Sequence, residues 1–344
     1  MHIDVIRTED EWAEMAAEWN KLLDESITNV PFLRHEYLTA WWQHRGGGEW
    51  PVSELFILTG RDSDNNLQGI APLFLSKNHA GDPALMLLGS IEISDFLDVI
   101  VKEGDLETFL DEILVYLTGP ESPQWDYLDW YNLFETSSTI PALEKLASKH
   151  NLHFQQERIQ PAPYITLPTD FDEYLGTLDK RYRHELRRKM RQASGYFIPV
   201  QWYEVEDEDN LEAEVDDFIE MMREEKEKDT FLTDEMVAQI HAIAKAAYKG
   251  GWLNLSFLKV GKEKAAGYFN FDFNDHIWVY NSSLARKFSQ LSPGIALLGF
   301  ILQDSIEKGR KEFDLMRGDE DYKYHLGGKD RFVVRATVRK ASPR

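Results

Sequence analysis

Two stretches in the second half of the chain carry the residue types best suited to chemistry. The first is Gln290-Leu291-Ser292-Pro293-Gly294-Ile295-Ala296. Ser292 suits an N-cap and Pro293 the first helical position. Gly294 removes side-chain bulk where a ligand could approach the backbone. A helix N-terminus offers unpaired amides and the positive end of the dipole, so it can hold a pyrophosphate. Ile295, Leu298, Ile301, Leu302 and Ile306 recur on one face and would anchor that helix on a sheet. The second stretch runs from Phe313 to Lys323, a short strand leading into a charged loop with Gly318 at its exit. Asp314, Arg317, Glu320, Tyr322 and Lys323 at a strand end suit anion binding and proton transfer. Each stretch also has a plainer reading, as a well-capped helix and as an exposed polar loop.

Charge is distributed unevenly around these stretches. Lys180–Arg191 holds seven Lys or Arg against the single Glu185, while Glu204–Asp229 holds 14 acids against Arg223, Lys226 and Lys228. Both segments could be solvated faces. Alternatively the basic helix lines a site for a phosphate-bearing substrate, with Arg183 and Arg187 one turn apart on one face. In Ser94-Asp95-Phe96-Leu97-Asp98, two acids flank an apolar strand start and read either as a turn cap or as part of a substrate cleft. Other chemistries lack their signatures. There is no Gly-x-Gly-x-x-Gly, Walker loop or Gly-x-Ser-x-Gly elbow. His150 and His153 have no companion ligand spacing, so no metal is expected. Trp41 and Trp42 read as core.

The elements that must position these residues alternate. In the first half, Ile3–Ile6 reads as a strand and Asp10–Asp24 as a helix behind a Thr8/Glu11 capping box. A second helix covers His35–His44. Strands follow at Glu54–Thr59, Gln68–Ser76, Leu85–Leu88, Phe96–Val101 and Tyr127–Tyr131, with helices at Leu106–Leu117 and Ser138–His150. Gln155–Pro168, with three prolines, reads as a crossing between halves. The second half gives helices near Asp170–Leu178, Lys180–Ala193, Asn210–Glu227 and Thr233–Lys249. Three successive strands, Trp252–Val260, Lys264–Asp272 and Ile277–Ser283, lead to a helix at Pro293–Lys308 and strands at Glu312–Met316 and Phe332–Lys340. This order is an α+β pattern. The expected domains are 1–160 and 161–344, the second carrying the basic helix 180–191.

Composition sets the bounds. The chain has 344 residues, 43% hydrophobic and 12% aromatic, enough for sizeable cores and about two domains. It has no Cys, which excludes disulfides, thiolate metal sites and a cysteine nucleophile. With 60 acids against 38 bases the net charge is −22, which disfavours general nucleic-acid binding. Met1–Arg7 becomes charged too early for a signal peptide, and the longest apolar run, Gly294–Leu302, is too short to span a bilayer. A cytoplasmic location is the expectation.

Taken in order, several segments resemble the CelD/BcsL-type acetyltransferases of the GNAT superfamily. They are Val30-Pro31-Phe32 with Trp41-Trp42, Gly69-Ile70-Ala71-Pro72-Leu73, Leu88-Gly89 with Ser94–Asp98, Arg181–Arg188, Ser292-Pro293-Gly294, and Phe313-Asp314 with Arg317-Gly318, Glu320 and Tyr322-Lys323. The resemblance spans nearly the whole chain. It implies two tandem GNAT-like folds, each a mixed, mostly antiparallel sheet flanked by helices and related to the Fem transferases of peptidoglycan bridges. It also implies transfer of an acetyl or other acyl group from acyl-CoA to an amine or hydroxyl of a small sugar- or envelope-related acceptor, in the context of exopolysaccharide synthesis. Gln290, Leu291, Ser292, Gly294, Ile295 and Ala296 would form the cofactor loop, although Pro293 stands where the pattern has its first Gly and removes one N–H donor. Asp314, Glu320 and Tyr322 would act as base or orienting groups. Arg317, Lys323, Arg183 and Arg187 would bind an anionic acceptor, and Asp95 and Asp98 would share its cleft. A backbone amide on Ile277–Ser283 would stabilise the oxyanion. The first domain is expected to lack a cofactor. The alternatives are Fem-like transfer from aminoacyl-tRNA, the one nucleic acid retained as a partner, and a GNAT-like module without catalysis.

Overall fold

In the computed structural model, which describes residues 1–340, the capping box forms as its residues require. The Glu11 amide donates to Thr8 Oγ1 at 3.3 Å, and the Thr8 amide donates to Glu11 Oε2 at 3.2 Å. The chain divides into two units. One is Met1–Gln160 together with the residues from Phe332 on, and the other is Pro161–Arg331.

The first unit begins with β1 (His2–Ile6), α1 (Glu9–Glu14), α2 (Ala16–Leu23) and α3 (His35–Gln43). Where one helix was expected over Asp10–Asp24, two form, meeting at Met15. Six strands follow: β2 (Glu54–Leu55), β3 (Ile57–Arg61), β4 (Leu67–Ala71), β5 (Leu73–Lys77), β6 (Pro83–Leu87) and β7 (Ile100–Val101). Then come α4 (Leu106–Thr118), β8 (Tyr127–Phe134), α5 (Thr139–Lys149) and β9 (Leu152–Pro161). The expected strand Gln68–Ser76 is cut at Pro72, which has no N–H to give a ladder. β4 lies in a sheet ordered β1-β3-β4-β7, and β5 passes into the second sheet. Gly60 and Gly69 let α4 approach closely, since a Cβ at either would strike the Phe109 ring.

The second unit holds β10 (Tyr164–Thr166), α6 (Phe171–Thr177), α7 (Lys180–Ser194), β11 (Val200–Glu204), α8 (Leu211–Arg223), α9 (Lys226–Phe231) and α10 (Asp234–Lys249). β12 (Leu253–Val260), β13 (Glu263–Phe273) and β14 (His276–Leu284) form an antiparallel meander. A 3-10 turn, Arg286–Leu291, leads to α11 (Pro293–Glu307), then β15 (Glu312–Asp314) and α12 (Asp321–His325). The sheet order is β10-β15-β14-β13-β12-β11. On one face of this sheet α6, α7 and α11 enclose a core that includes Leu186, Met190, Tyr268, Val279, Leu298 and Phe313. Gly299 lets α7 and α11 pack closely, since a Cβ there would meet Met190 Sδ at 2.8 Å and that side chain would have to shift.

β16 (Phe332–Lys340) departs from the expected boundary. It pairs antiparallel with β8 and lies between β8 and β9 in the sheet β2-β5-β6-β8-β16-β9. The last strand therefore belongs with residues 1–160 rather than with 161–331. The segment Gln155–Pro168, expected as a crossing, supplies most of β9 and all of β10.

Candidate functional site

The site of the second unit begins as a defect in the sheet. β14 and β15 run parallel, but they pair only from His276 with Glu312 to Trp278 with Asp314. Beyond Trp278, β14 continues to Leu284 against β13 alone, which leaves its other edge open. The register also slips. Phe269 faces Asn281 and Phe271 faces Trp278, so Val279 and Tyr280 together oppose Asn270. This is a β-bulge, which leaves one residue out of the ladder. The bulge falls where the two parallel strands part. On the open segment the Ser282 carbonyl accepts from Lys228 Nζ at 2.6 Å.

α11 starts across from this opening. Ser292 occupies the N-cap position, but at φ +48° and ψ +53° it is left-handed and its hydroxyl makes no capping bond. Pro293 supplies no amide, and the Ala296 amide donates to the Ser292 carbonyl at 3.1 Å. The Gly294 and Ile295 amides are the first-turn donors with no partner within the helix. A Cβ on Gly294 would press on Leu284 at 2.7 Å, so the backbone here sits close to β14. A cavity of about 370 Å³ lies at this junction, lined by Tyr268, Ser282, Ser289, Ser292, Gly294 and Tyr322 among others. Glu225 and Arg286 contribute opposite charges to its wall. Burial pushes the Tyr322 phenol well above its ordinary pKa, with the Glu320 charge adding to the shift. The Tyr268 phenol is raised by the same cause. Both are proton donors rather than bases near neutrality.

Of the residues singled out in the sequence, Ser292, Gly294, Ile295 and Tyr322 line this cavity. Gln290 is exposed, while Leu291 and Ala296 are buried in the core. Asp314 is fully buried and held by Arg331, with its Oδ1 accepting from the Met316 amide at 2.7 Å. It cannot reach a substrate, so the expected base is a structural anion. Lys323 is corrected likewise. Only 2% exposed, its ammonium donates to the carbonyls of Met316, Arg317 and Gly318 and pairs with Glu320, so it pins the loop. Gly318 is favoured there because its φ of +114° is a backbone conformation that residues with a side chain rarely adopt. Glu320 is exposed, Arg317 is half-buried, and neither lines the cavity. Arg183 and Arg187 are also outside it, and Arg187 pairs with Asp172 at 2.5 Å.

Asp95 and Asp98 belong to the first unit, where the corresponding opening is filled. β6 and β8 pair in parallel only at Ala84–Leu85, and the chain after β6 then packs into the gap. The Leu97 amide donates to the Asn132 carbonyl, and Asn132 Nδ2 donates to the carbonyls of Ile91 and Ser94. Asp98 is fully buried and accepts from Thr28, Ser137, Thr139 and the Val99 amide. Burial raises its pKa while these donors oppose the rise. It is a structural hub, not a cleft residue, and Asp95 is buried beside it in the same segment.

Sequence reasoning missed Tyr268, Ser282 and Glu225. Tyr268 and Ser282 sit in strands that read as uniform core, and Glu225 sits in an acidic run. Among the described residues no group of three or more His, Asp or Glu could hold a metal ion, and no helix is long and apolar enough to cross a membrane.

A mixed sheet whose central parallel strands part beside a helix N-terminus is a GNAT-type architecture, and residues 180–324 match the model of the Acetyltransferase (GNAT) domain. The whole chain is similar to solved structures at low identity. It resembles FemX with a TM-score of 0.66 at 10% identity, covering 98% of this chain and 97% of that one. It resembles L-PGS from Bacillus licheniformis with a TM-score of 0.55 at 10% identity, covering 98% and 93%. It also resembles a tandem GNAT protein from the clavulanic acid biosynthesis pathway, with a TM-score of 0.50 at 12% identity over all of both chains. No curated protein matches the sequence significantly. The fold is therefore α+β, with two GNAT-like folds in tandem.

Proposed function

We propose that the protein transfers an acetyl or longer acyl group from acyl-CoA to an amine or hydroxyl of a small acceptor, such as an amino sugar. The observation that carries this reading is the convergence of three features on one cavity: the open, bulged edge of β14, the first turn of α11, and Tyr322. The residues present fit the donor. The Gly294 and Ile295 amides, with the Ser289 and Ser292 hydroxyls, would hold its pyrophosphate, and Gly294 keeps the approach free of side chain. Two free amides remain although Pro293 has removed one. The thioester supplies an activated acyl carbon. The acceptor nitrogen or oxygen bonds to that carbon as the carbon–sulfur bond breaks. A backbone amide of the bulged segment of β14 would receive the developing oxyanion. Glu225, the carboxylate in the cavity wall, would take the acceptor's proton, and Tyr322 would give one to the leaving thiolate.

Calorimetric titration with acetyl-CoA and longer acyl-CoAs tests this, with Gly294→Glu as the control. A carboxylate there would repel a pyrophosphate as well as crowd Leu284. Binding by the native chain that falls at least tenfold in the variant is the expected result. If no acyl-CoA binds, the reading fails. Salt-dependent binding of aminoacyl-tRNA would then favour the Fem-type donor.

A further inference from the structure

α7 carries a cationic stripe whose charge the rest of the unit does not neutralise. Leu186, Met190 and Ala193 turn inward against the core. Arg181, His184, Arg188 and Arg191, spaced three and four apart, form an exposed row on the opposite face, with Lys180 at its start. Lys189 pairs with Glu185, and Arg187 with Asp172. Arg188 instead donates to Gln192 Oε1, and Arg191 to the Arg187 carbonyl. Among the described residues, no carboxylate forms an ion pair with Lys180, Arg181, Arg188 or Arg191. In a chain with 60 acids and 38 bases, cations left open in one row stand out from the paired surface around them. The local field holds Glu185 below the usual carboxylate range, chiefly through its bond to Lys189 and with help from Arg188 and Arg181.

A second observation lies at the end of the same helix. Just past the C-cap Gly195, Phe197 is 82% exposed and Ile198 is exposed beside it. Tyr196 turns inward and packs on the core, leaving Phe197 as an apolar tip. A row of cations along a helix, ending in a projecting aromatic, matches the two layers of an anionic bilayer. The cations meet lipid phosphates at headgroup level, and the ring enters the acyl boundary. Screening confines the interaction to charges near the surface, so the net charge of −22 does not prevent it. A duplex RNA would answer the cations, but its bases are paired and stacked on one another and would give Phe197 and Ile198 no apolar phase.

We infer that α7 and the Phe197–Ile198 tip dock the protein on an anionic phospholipid surface. This stripe does not line the cavity, and the inference stands apart from the acyltransferase reading.

The absence of Cys makes a direct test available. Phe197→Cys in the full chain takes a single environment-sensitive dye. Emission should shift to the blue with phosphatidylcholine/phosphatidylglycerol vesicles, stay fixed with phosphatidylcholine alone, and return in high salt. The unlabelled native chain should co-sediment with the mixed vesicles. Arg181→Glu/Arg188→Glu/Arg191→Glu should weaken that binding at least roughly tenfold. Circular dichroism checks the triple variant's fold, and Arg188→Gln replaces it if it unfolds, with a smaller loss expected. No dye shift and no co-sedimentation would overturn the inference. So would equal binding to uncharged vesicles, or binding of tRNA through the same arginines with none to vesicles.

Discussion

Tyr322 is the one residue that both the sequence and the cavity select for proton transfer. Burial raises its pKa, so the phenol keeps its proton across the physiological range and suits the donor role. Tyr322→Phe keeps the ring and loses the hydroxyl. In the proposed reaction kcat should fall by about 10²–10⁴-fold with KM nearly unchanged. The sign of the pH effect follows from the raised pKa. The active phenol is lost only as pH climbs through the folded-state value, so any alkaline limb due to Tyr322 lies above the ordinary tyrosine range. A Phe variant as active as the native chain, or a limb near neutrality that the variant removes, would refute the assignment. The polar cluster Asp314–Lys323 was visible in the sequence as a cluster. Its internal division was not. Asp314 and Lys323 are buried because Arg331 and three loop carbonyls receive them, and neither partner is marked by local spacing.

At the scale of elements, the site depends on how far β15 follows β14 before parting from it. Arg331 acts at that point. It pairs with Glu312 at 3.0 Å and with fully buried Asp314, the two acids that stand on one face of β15. Arg331→Met would leave a buried anion uncompensated, at a cost of about 3–5 kcal/mol. Adding Asp314→Leu removes that anion and should recover most of the loss. Urea unfolding of the single and double variants measures both. A single variant within about 0.5 kcal/mol of native, on the scale of an ordinary surface change, would show that the pair does not hold β15. Elements with strong periodicity, such as α4, α10 and the β12–β14 meander, were legible in the sequence. The strand parting and the bulge were not, because neither changes the apolar pattern of Ile277–Ser283. The break at Met15 was hidden because the helical period of Trp12, Met15, Trp19 and Leu22 runs through it, and the break between α8 and α9 because Arg223–Thr230 has no apolar residue to mark a change of phase.

The whole molecule returns on itself, and this sets how its two units depend on the chain's last strand. The alternation of Phe332–Lys340 announces a strand, but a single sequence does not say which strand it joins. Val333, Val334, Ala336 and Val338 are almost completely buried, and they sit in the middle of the first unit's six-stranded sheet. Truncation after Arg331 therefore removes an interior strand, not an edge. It breaks the ladders to both β8 and β9 and opens the apolar faces they cover. Net domain stability is only about 5–15 kcal/mol, so the first unit should not survive the loss. The second unit keeps every strand of its own sheet, including Arg331 and the cavity. Limited proteolysis of the truncated chain should digest residues 1–160 and spare a fragment near 161–331. Hydrogen exchange should show protection lost in β5, β6 and β8 but kept in β12–β14. A truncated chain that resists protease throughout and melts at the native temperature would mean that β16 is dispensable. The sheet order that places it between β8 and β9 would then have to be wrong.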